Sequence, residues 1–202
     1  MKKIDIVQGT DVWLHKRKGV ITGTVLKSIM GTPRAKQEAI YETIAQRLTV
    51  GVDNGEENPM DRGTRLEPDA ISAFEFETGK VVERIGFAES EENPLIANSP
   101  DGLIGETEAI ETKCPGGKNH VKMWLTNEVP DEYEWQVVQY FVVNEKLEKL
   151  YFVGYNPDIP VHPLHIIEVK REDIKLDIVN ARKSQEAFLQ EVESILSTII
   201  KL

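Results

Sequence analysis

Apolar residues recur at intervals of three and four in the first third of the chain and again at its end. In "PRAKQEAIYETIAQRL", Ile40, Ile44 and Leu48 form such a stripe behind a proline suited to a first helical turn. Thr10 and Thr22 are placed as N-caps of two shorter helices. The pattern therefore predicts helices over 11–18, 22–31, 33–48, 60–78 and from about 171 to the end. On the last helix the predicted buried side comprises Ile174, Ile178, Ala181, Phe188, Val192, Ile195 and Ile199.

The middle of the chain has a different pattern, with short apolar runs broken by Gly, Asn and Pro. Such runs are typical of strands. The predicted strands are "KVVERIGFAE", "LIANS", "DGLIGE", "EAIETKC", "LEKLYFVGYN" and "LHIIEVK", with helices over 117–127 and 131–144 between them. Helices followed by strands mixed with helices predict an α/β or α+β layer structure, most simply one central sheet flanked by helices.

Composition narrows the class of protein. A chain of 202 residues with 40% hydrophobic and 29% charged residues suits one globular domain over 1–202. Cys114 is the single cysteine, which excludes an intrachain disulfide framework, a zinc knuckle and a four-cysteine iron–sulfur cluster. The start, "MKKIDIVQGTDVW", has no apolar run typical of a signal peptide, and no stretch approaches a membrane span. We therefore expect a cytoplasmic protein with no membrane partner.

Charge is distributed unevenly along the sequence. The net charge of −10 argues against nucleic acid as a partner, because Lys and Arg drive phosphate binding. Residues 1–50, however, hold nine Lys/Arg against four Asp/Glu, so this segment is basic while the remainder is acidic. A basic segment on an acidic body still allows one positive face.

The stretch "SPDGLIGETEAIETKCPG" groups charged side chains between turn residues. Glu111 and Lys113 are two apart on a predicted strand and therefore share a face, and a hairpin through "GETE" brings Asp101 near Glu111. Two close carboxylates repel unless a cation or proton lies between them. Mg²⁺ with oxygen ligands resolves this repulsion, and the Thr112 carbonyl could add a third ligand. Lys113 would then stand beside the ion, able to orient or help deprotonate a water and to stabilise negative charge.

Simpler interpretations exist for each of these residues. An acid and a lysine two apart on a strand are common on solvated hairpins. Arg17, in the basic cluster "HKRK", suits a phosphate but equally a solvated helix face. Glu67 follows Leu66 on an amphipathic helix, where a surface glutamate is ordinary. Trp13 could stack on bases, although burial in the core is the simpler expectation.

The ordered motifs resemble a known family. "PDG" followed ten residues on by "ETK" is similar to the PD-(D/E)xK nuclease signature. In the same order occur "WLHKRKGVITGT", "MDRGTRLEPDAISAFEFETG", "NSPDGLI", "IETKCP", "YEWQV" and "YFVGYNP". Together they resemble the lambda-exonuclease-like viral recombinases, or phage alkaline exonucleases, from about Trp13 to Pro157. The resemblance implies a restriction-endonuclease-like α/β core with a central mixed sheet flanked by helices.

The resemblance also implies roles for individual residues. Asp101 and Glu111 match the family's metal-binding acids, with the Thr112 carbonyl as a further ligand and Lys113 as the catalytic lysine. The remaining matches are Gln136 on a helix over the metal site, Glu67 as a supporting glutamate, and Arg17, Thr24 and Ser99 in a pocket for the 5′-phosphate of DNA. Val138 occupies the place of the family's usual second glutamine, which leaves Gln139 without an assigned role.

The function that the resemblance implies is a Mg²⁺-dependent deoxyribonuclease, with Mn²⁺ as an alternative cofactor. It would digest linear double-stranded DNA from the 5′ end, release mononucleotides and leave a 3′ single strand for phage-type recombination. A homotrimer, a single-strand annealing recombinase as partner, and a phage or prophage origin within a bacterial host are further implications. Two alternatives stay open: another PD-(D/E)xK endonuclease or repair nuclease, and a non-catalytic protein that binds DNA ends.

Overall fold

The computed structural model describes residues 1–48 and 61–200. Its helices are α1 (Asp11–Arg17), α2 (Gly23–Ile29), α3 (Pro33–Leu48), α4 (Asp61–Thr78), α5 (Gly117–Thr126), α6 (Glu134–Val143) and α7 (Lys175–Ile200). Its strands are β1 (Lys2–Ile4), β2 (Phe87–Glu89), β3 (Ala97–Asn98), β4 (Gly102–Ile104), β5 (Glu108–Lys113), β6 (Lys149–Tyr155) and β7 (Leu164–Lys170).

Four strands form the central mixed sheet, in the order β4-β5-β6-β7. The predicted hairpin joins β4 to β5 antiparallel, with Gly102 opposite Ile110. β5 and β6 run parallel, as expected when a helical segment connects them, and β7 returns antiparallel. The predicted α/β fold with a central mixed sheet flanked by helices is confirmed.

The two faces of this sheet pack against different helices. Because side chains alternate along a strand, Leu150 and Phe152 face the helices α2, α3, α6 and α7, where most of the core lies. Tyr151 and Val153 face α4 and share an apolar cluster with Phe74, whose ring centre lies 5.2 Å from that of Tyr151. Both layers are therefore closed by apolar stripes that the sequence pattern had indicated.

The expectation of one sheet was incomplete. A second sheet of three short strands, in the order β1-β2-β3, lies beside the central one. Of the predicted strand over 80–89, only Phe87–Glu89 is extended within that sheet, and Glu83 makes an isolated bridge to Leu103. The short strand β1 pairs with residues more than eighty positions away, a long-range contact that local pattern does not reveal.

Helix ends agree with the predicted capping in part. Thr10 caps α1, with its hydroxyl accepting a bond from Trp13 N, as predicted. Thr22 precedes α2 in the N-cap position, but its side chain makes no capping bond. Gly79 follows α4 with a φ of 68°, a conformation that favours glycine. The last helix begins at Lys175 and not near Arg171, because 171–174 form turns.

No helix in the described ranges is long and apolar enough to cross a membrane.

Candidate active site

Asp101 and the end of β5 meet at one edge of the central sheet. The β4–β5 register places Asp101 across from Glu111. One carboxylate oxygen of Asp101 accepts bonds from the Thr112 amide at 2.7 Å and the Thr112 hydroxyl at 2.8 Å. Since the N–H and C=O of a strand residue point to the same edge, the Thr112 carbonyl faces the Asp101 side. The oxygen atoms predicted to ligate a cation therefore lie together at this edge of the sheet.

Glu111 lies deep in the same corner, only 1% exposed, on the sheet face toward α6. The Lys113 ammonium and the Gln136 amide donate to one carboxylate oxygen, the latter at 2.5 Å. The Tyr140 hydroxyl donates to the other. A buried carboxylate with three donors is held in one orientation.

Asp101, Glu111 and Lys113 lie close enough for their charges to interact. Burial, and then the negative charge of Glu111, raise the pKa of Asp101 to about 8. Burial lowers the pKa of Lys113, but the charges of Glu111 and Asp101 outweigh it, so the net shift is upward. Lys113 therefore stays protonated, which favours a role in stabilising negative charge over one as proton acceptor.

These residues fit a hard divalent cation. The available donors are carboxylate and carbonyl oxygens, which Mg²⁺ prefers. In the ranges 1–48 and 61–200, no three Asp, Glu, His or Cys side chains converge closely enough to hold an ion alone. A cation here would therefore need the Thr112 carbonyl and water beside Asp101 and Glu111.

Glu67 lies on α4 at the margin of this corner. Burial raises the pKa of its carboxyl, and the charge of Glu111 adds to this shift while Arg84 and Lys113 oppose it. Arg84 donates to the Glu67 carboxylate at 3.2 Å. Glu67 therefore lies close enough for the charges of Glu111 and Lys113 to shift its pKa, but its hydrogen bond is with Arg84.

The three residues predicted to bind a phosphate line one pocket. Arg17, Thr24 and Ser99 surround a cavity of about 40 Å³, more than the roughly 10–15 Å³ that one water needs. Arg17 donates to the Ser99 hydroxyl at 2.7 Å, and its guanidinium lies 4.4 Å from the ring centre of Trp13. Trp13 also donates to Ser99 at 3.0 Å. Trp13 is therefore half-buried against Arg17, where it fixes the guanidinium, and is not a core residue.

The pocket and the carboxylate corner share two side chains. Gln136 and Tyr140 line the pocket and also donate to Glu111. Tyr140 further accepts a bond from the Asp101 amide at 3.2 Å, so it touches both acids. Gly23 lets α2 pack closely against Gln136 on α6, because a Cβ at position 23 would lie only 3.1 Å from Gln136 Cγ. The two clusters are one connected site.

Sequence reasoning missed Tyr140 and Asn98 at this site. Tyr140 is four residues after Gln136, a spacing that places both on one helix face, and this signal was available. Asn98 also lines the pocket and is 6% exposed, yet its side-chain oxygen has no hydrogen-bond partner in the described chain. Nothing in its sequence context distinguishes it from a turn residue.

The chain is similar to known proteins in both sequence and structure. The sequence profile of the YqaJ-like viral recombinase domain matches residues 12–146. Among curated protein sequences no relative matches the chain.

Solved structures extend the similarity over nearly the whole chain. An alkaline exonuclease, LHK-Exo from Laribacter hongkongensis, is similar with a TM-score of 0.86 and 29% identity, covering 95% of this chain and 97% of that one. LHK-Exo in complex with dAMP gives the same values. A phage-related exonuclease from Haemophilus somnus 129PT shares the fold, with a TM-score of 0.64 and 16% identity over 90% of this chain and 96% of that one.

Proposed function

Because the chain belongs to the YqaJ-like viral recombinase family, we propose that it is a Mg²⁺-dependent 5′-to-3′ exonuclease on linear double-stranded DNA. Residues 1–202 would serve as one nuclease domain. Each cycle would release a 5′-mononucleotide and extend a 3′ single strand. The similarity to an alkaline exonuclease supports a deoxyribonuclease, and the dAMP complex of that relative is consistent with a mononucleotide product.

One observation carries the direction of digestion. Gln136 and Tyr140 separate the pocket of Arg17, Thr24 and Ser99 from Glu111 by the width of a single side chain. A terminal 5′-phosphate seated on Arg17 would leave the next phosphodiester beside the carboxylates. Hydrolysis there yields one nucleotide at a time from the 5′ end.

Each residue of the site has a separate proposed role in phosphodiester hydrolysis. Asp101, Glu111 and the Thr112 carbonyl would hold the cation, which supplies Lewis-acid activation of the phosphate and of the attacking water. Lys113, held protonated by its acidic neighbours, stabilises negative charge on the reacting phosphate. Gln136 and Tyr140 fix the Glu111 carboxylate, and Glu67 on α4 would support the metal site from its margin, either directly or through water. Mn²⁺ is an alternative ion, since it accepts the same oxygen ligands.

The wider role follows from the product. A 3′ single strand is the substrate of a single-strand annealing recombinase, so such a protein is the proposed partner in phage-type recombination. A homotrimer around the duplex would keep the enzyme on its substrate. The site of action would be the cytoplasm of a bacterial host that carries the phage or prophage.

The proposal is tested by nucleotide release from linear 5′-phosphorylated duplex in Mg²⁺, with closed circular DNA in parallel. We expect release from linear DNA alone, loss of release in chelator, and a fall of about 10²–10³-fold for Lys113→Ala. Lys183→Ala, an exposed lysine on α7, is the matched control and should act as wild type. Cutting of circular DNA at fixed sites would indicate an endonuclease. DNA-end binding without turnover in Mg²⁺ or Mn²⁺ would indicate a non-catalytic protein.

A further inference from the structure

Two glutamines form a buried amide pair behind the pocket. Gln139 on α6 and Gln185 on α7 are both 0% exposed. The Gln185 amide donates to the Gln139 side-chain oxygen at 2.6 Å. A fully buried glutamine loses its hydration, so each of its bonds must be replaced within the protein.

Gln139 uses its own amide to hold two backbone segments together. It donates to the Ile21 carbonyl at 3.0 Å and to the Ala97 carbonyl at 2.9 Å. These segments already touch, since Ala97 N donates to Ile21 O at 2.9 Å. The two hydrogens of one side-chain amide therefore fix the relative position of two chain segments.

The residues that follow these two anchor points line the pocket. Thr22, Gly23 and Thr24 come directly after Ile21, while Asn98 and Ser99 come directly after Ala97. On α6, Gln139 lies between Gln136 and Tyr140, which line the same pocket from the other side. The amide pair thus connects three of the segments that line the pocket to the last helix, while Arg17 lines it from α1.

One polar atom of the pair is left without a hydrogen bond. The Gln185 side-chain oxygen is buried and has no hydrogen-bond partner in the part of the chain that the structure describes. An apolar residue at 185 would remove that oxygen but would leave the buried Gln139 oxygen without its donor, so the two glutamines depend on each other. Buried side-chain polar atoms are nearly always satisfied, so an exception is expected to have a structural or functional cause.

We propose that Gln139 and Gln185 are positioning residues that hold the pocket in the geometry required to recognise a terminal 5′-phosphate. The inference rests on the proposed exonuclease function. Neither glutamine touches the phosphate. They act by setting the distance of Thr24 and Ser99 from Arg17, and a displacement of about 1 Å in such a site is enough to lower catalysis 10²-fold.

The test compares linear duplexes with 5′-phosphate and 5′-hydroxyl ends. For wild type, Gln185→Met, Gln139→Met and the double variant, kcat and KM are measured on each end, and folding is checked by circular dichroism. We expect the preference for phosphate in kcat/KM to fall about tenfold, mainly through a higher KM on the phosphorylated end. The double variant should lose no more than the larger single variant, because the two side chains act through one hydrogen bond.

Two controls separate positioning from stability. Gln190→Met places the same change on an exposed site of α7 and should keep the wild-type preference. Leu196→Ala removes a buried side chain from the same helix, so it lowers the folded fraction for both substrates alike and leaves their ratio unchanged.

Several results would overturn the inference. These are a wild-type preference in the folded glutamine variants, an equal loss of preference in Leu196→Ala, or unfolding of both single variants, which would make the pair merely structural. If wild type releases nucleotides and the glutamine variants keep the wild-type preference for the 5′-phosphate, the positioning inference is wrong and the exonuclease function stands. If wild type releases none from either end, both fall.

Discussion

Burial and the negative charge of Glu111 raise the pKa of Asp101, so that its carboxyl favours the protonated form. Its pKa of about 8 in the fold lies far above the roughly 4 of an unfolded chain. Such a group stabilises the fold fully below the unfolded pKa, and that contribution is lost as pH rises through about 8. A cation bound between the acids would take the place of the proton.

The first prediction concerns the pH dependence of folding stability. In chelator, thermal unfolding of wild type should occur at progressively lower temperature between pH 6 and pH 9. Asp101→Asn should flatten that decline, because the amide resembles the protonated acid. Added Mg²⁺ should raise the wild-type midpoint most at the alkaline end. Identical pH profiles for wild type and Asp101→Asn would refute the assigned charge coupling.

The second prediction concerns the hydroxyl of Tyr140. Tyr140→Phe keeps the buried ring but removes the bonds to Glu111 and to the Asp101 amide. Groups that orient metal ligands typically affect metal affinity or activity 10–100-fold. We expect the Mg²⁺ concentration for half-maximal nucleotide release to rise within that range. Tyr41→Phe, at an exposed tyrosine, should leave it unchanged. Equal Mg²⁺ dependence in both variants would remove Tyr140 from the site.

At the residue scale, the sequence was most informative where local pairing decides position. Asp101, Glu111 and Thr112 meet because a hairpin register brings them together, and a turn signal predicts that register. Arg17, Thr24 and Ser99 converge from distant segments, and only the resemblance to a family had linked them. The partners of Gln139 lie on chain segments far from it, so their identity required the fold.

At the element scale, Arg171 closes the end of α6. Its guanidinium donates to the carbonyls of Phe141 and Asn144 at 2.8 and 2.7 Å, and to Leu147 at 2.5 Å. Phe141 lies in the last turn of α6, where carbonyls lack partners within the helix, so Arg171 satisfies one of them. The Asn144 carbonyl, at the C-cap, also accepts a bond from Leu147 N at 3.1 Å. The same helix carries Gln136 and Tyr140, which makes this closure relevant to the site.

The third prediction is that substitution of Arg171 lowers folding stability but removes no group that takes part in the reaction. Arg171→Met should lower the free energy of unfolding by about 2–4 kcal/mol, because three carbonyls lose charged donors. Urea denaturation measures this change. Lys170→Met, at the exposed neighbour, should stay within about 0.5 kcal/mol of wild type. A difference below 1 kcal/mol between the two variants would contradict the assigned role.

The long helices and the hairpin strands could be predicted because their apolar periods are strong. Leu66, Ala70, Ile71 and Phe74 on α4 are buried as expected. The last helix departs from its predicted stripe at its end and near its middle. Ile199 is 43% exposed, and the polar Gln185 is fully buried because Gln139 pairs with it. Periodicity places apolar residues inward but cannot identify a polar residue whose partner lies on another helix.

At the scale of the whole molecule, the proposed binding of DNA has to be reconciled with an acidic net charge and a basic N-terminal segment. Lys16 pairs with Glu89, so part of the basic charge is already neutralised within the protein. Binding should therefore depend on a local positive face and weaken as salt rises.

A fourth prediction concerns assembly. Native mass spectrometry should find a species of three times the 22.8 kDa subunit mass, since a ring of three would enclose a duplex. The proposed homotrimer would be ruled out if the protein stays monomeric at every concentration tested and is still fully active and processive.

The most direct test of the central claim uses a linear duplex with different labels on the 5′-terminal and 3′-terminal nucleotides of one strand. In Mg²⁺, the 5′ label should appear first, as a mononucleotide, while the 3′ label remains in long single-stranded DNA. Earlier release of the 3′ label, or recovery of the 5′ label in oligonucleotides, would contradict a 5′-to-3′ exonuclease.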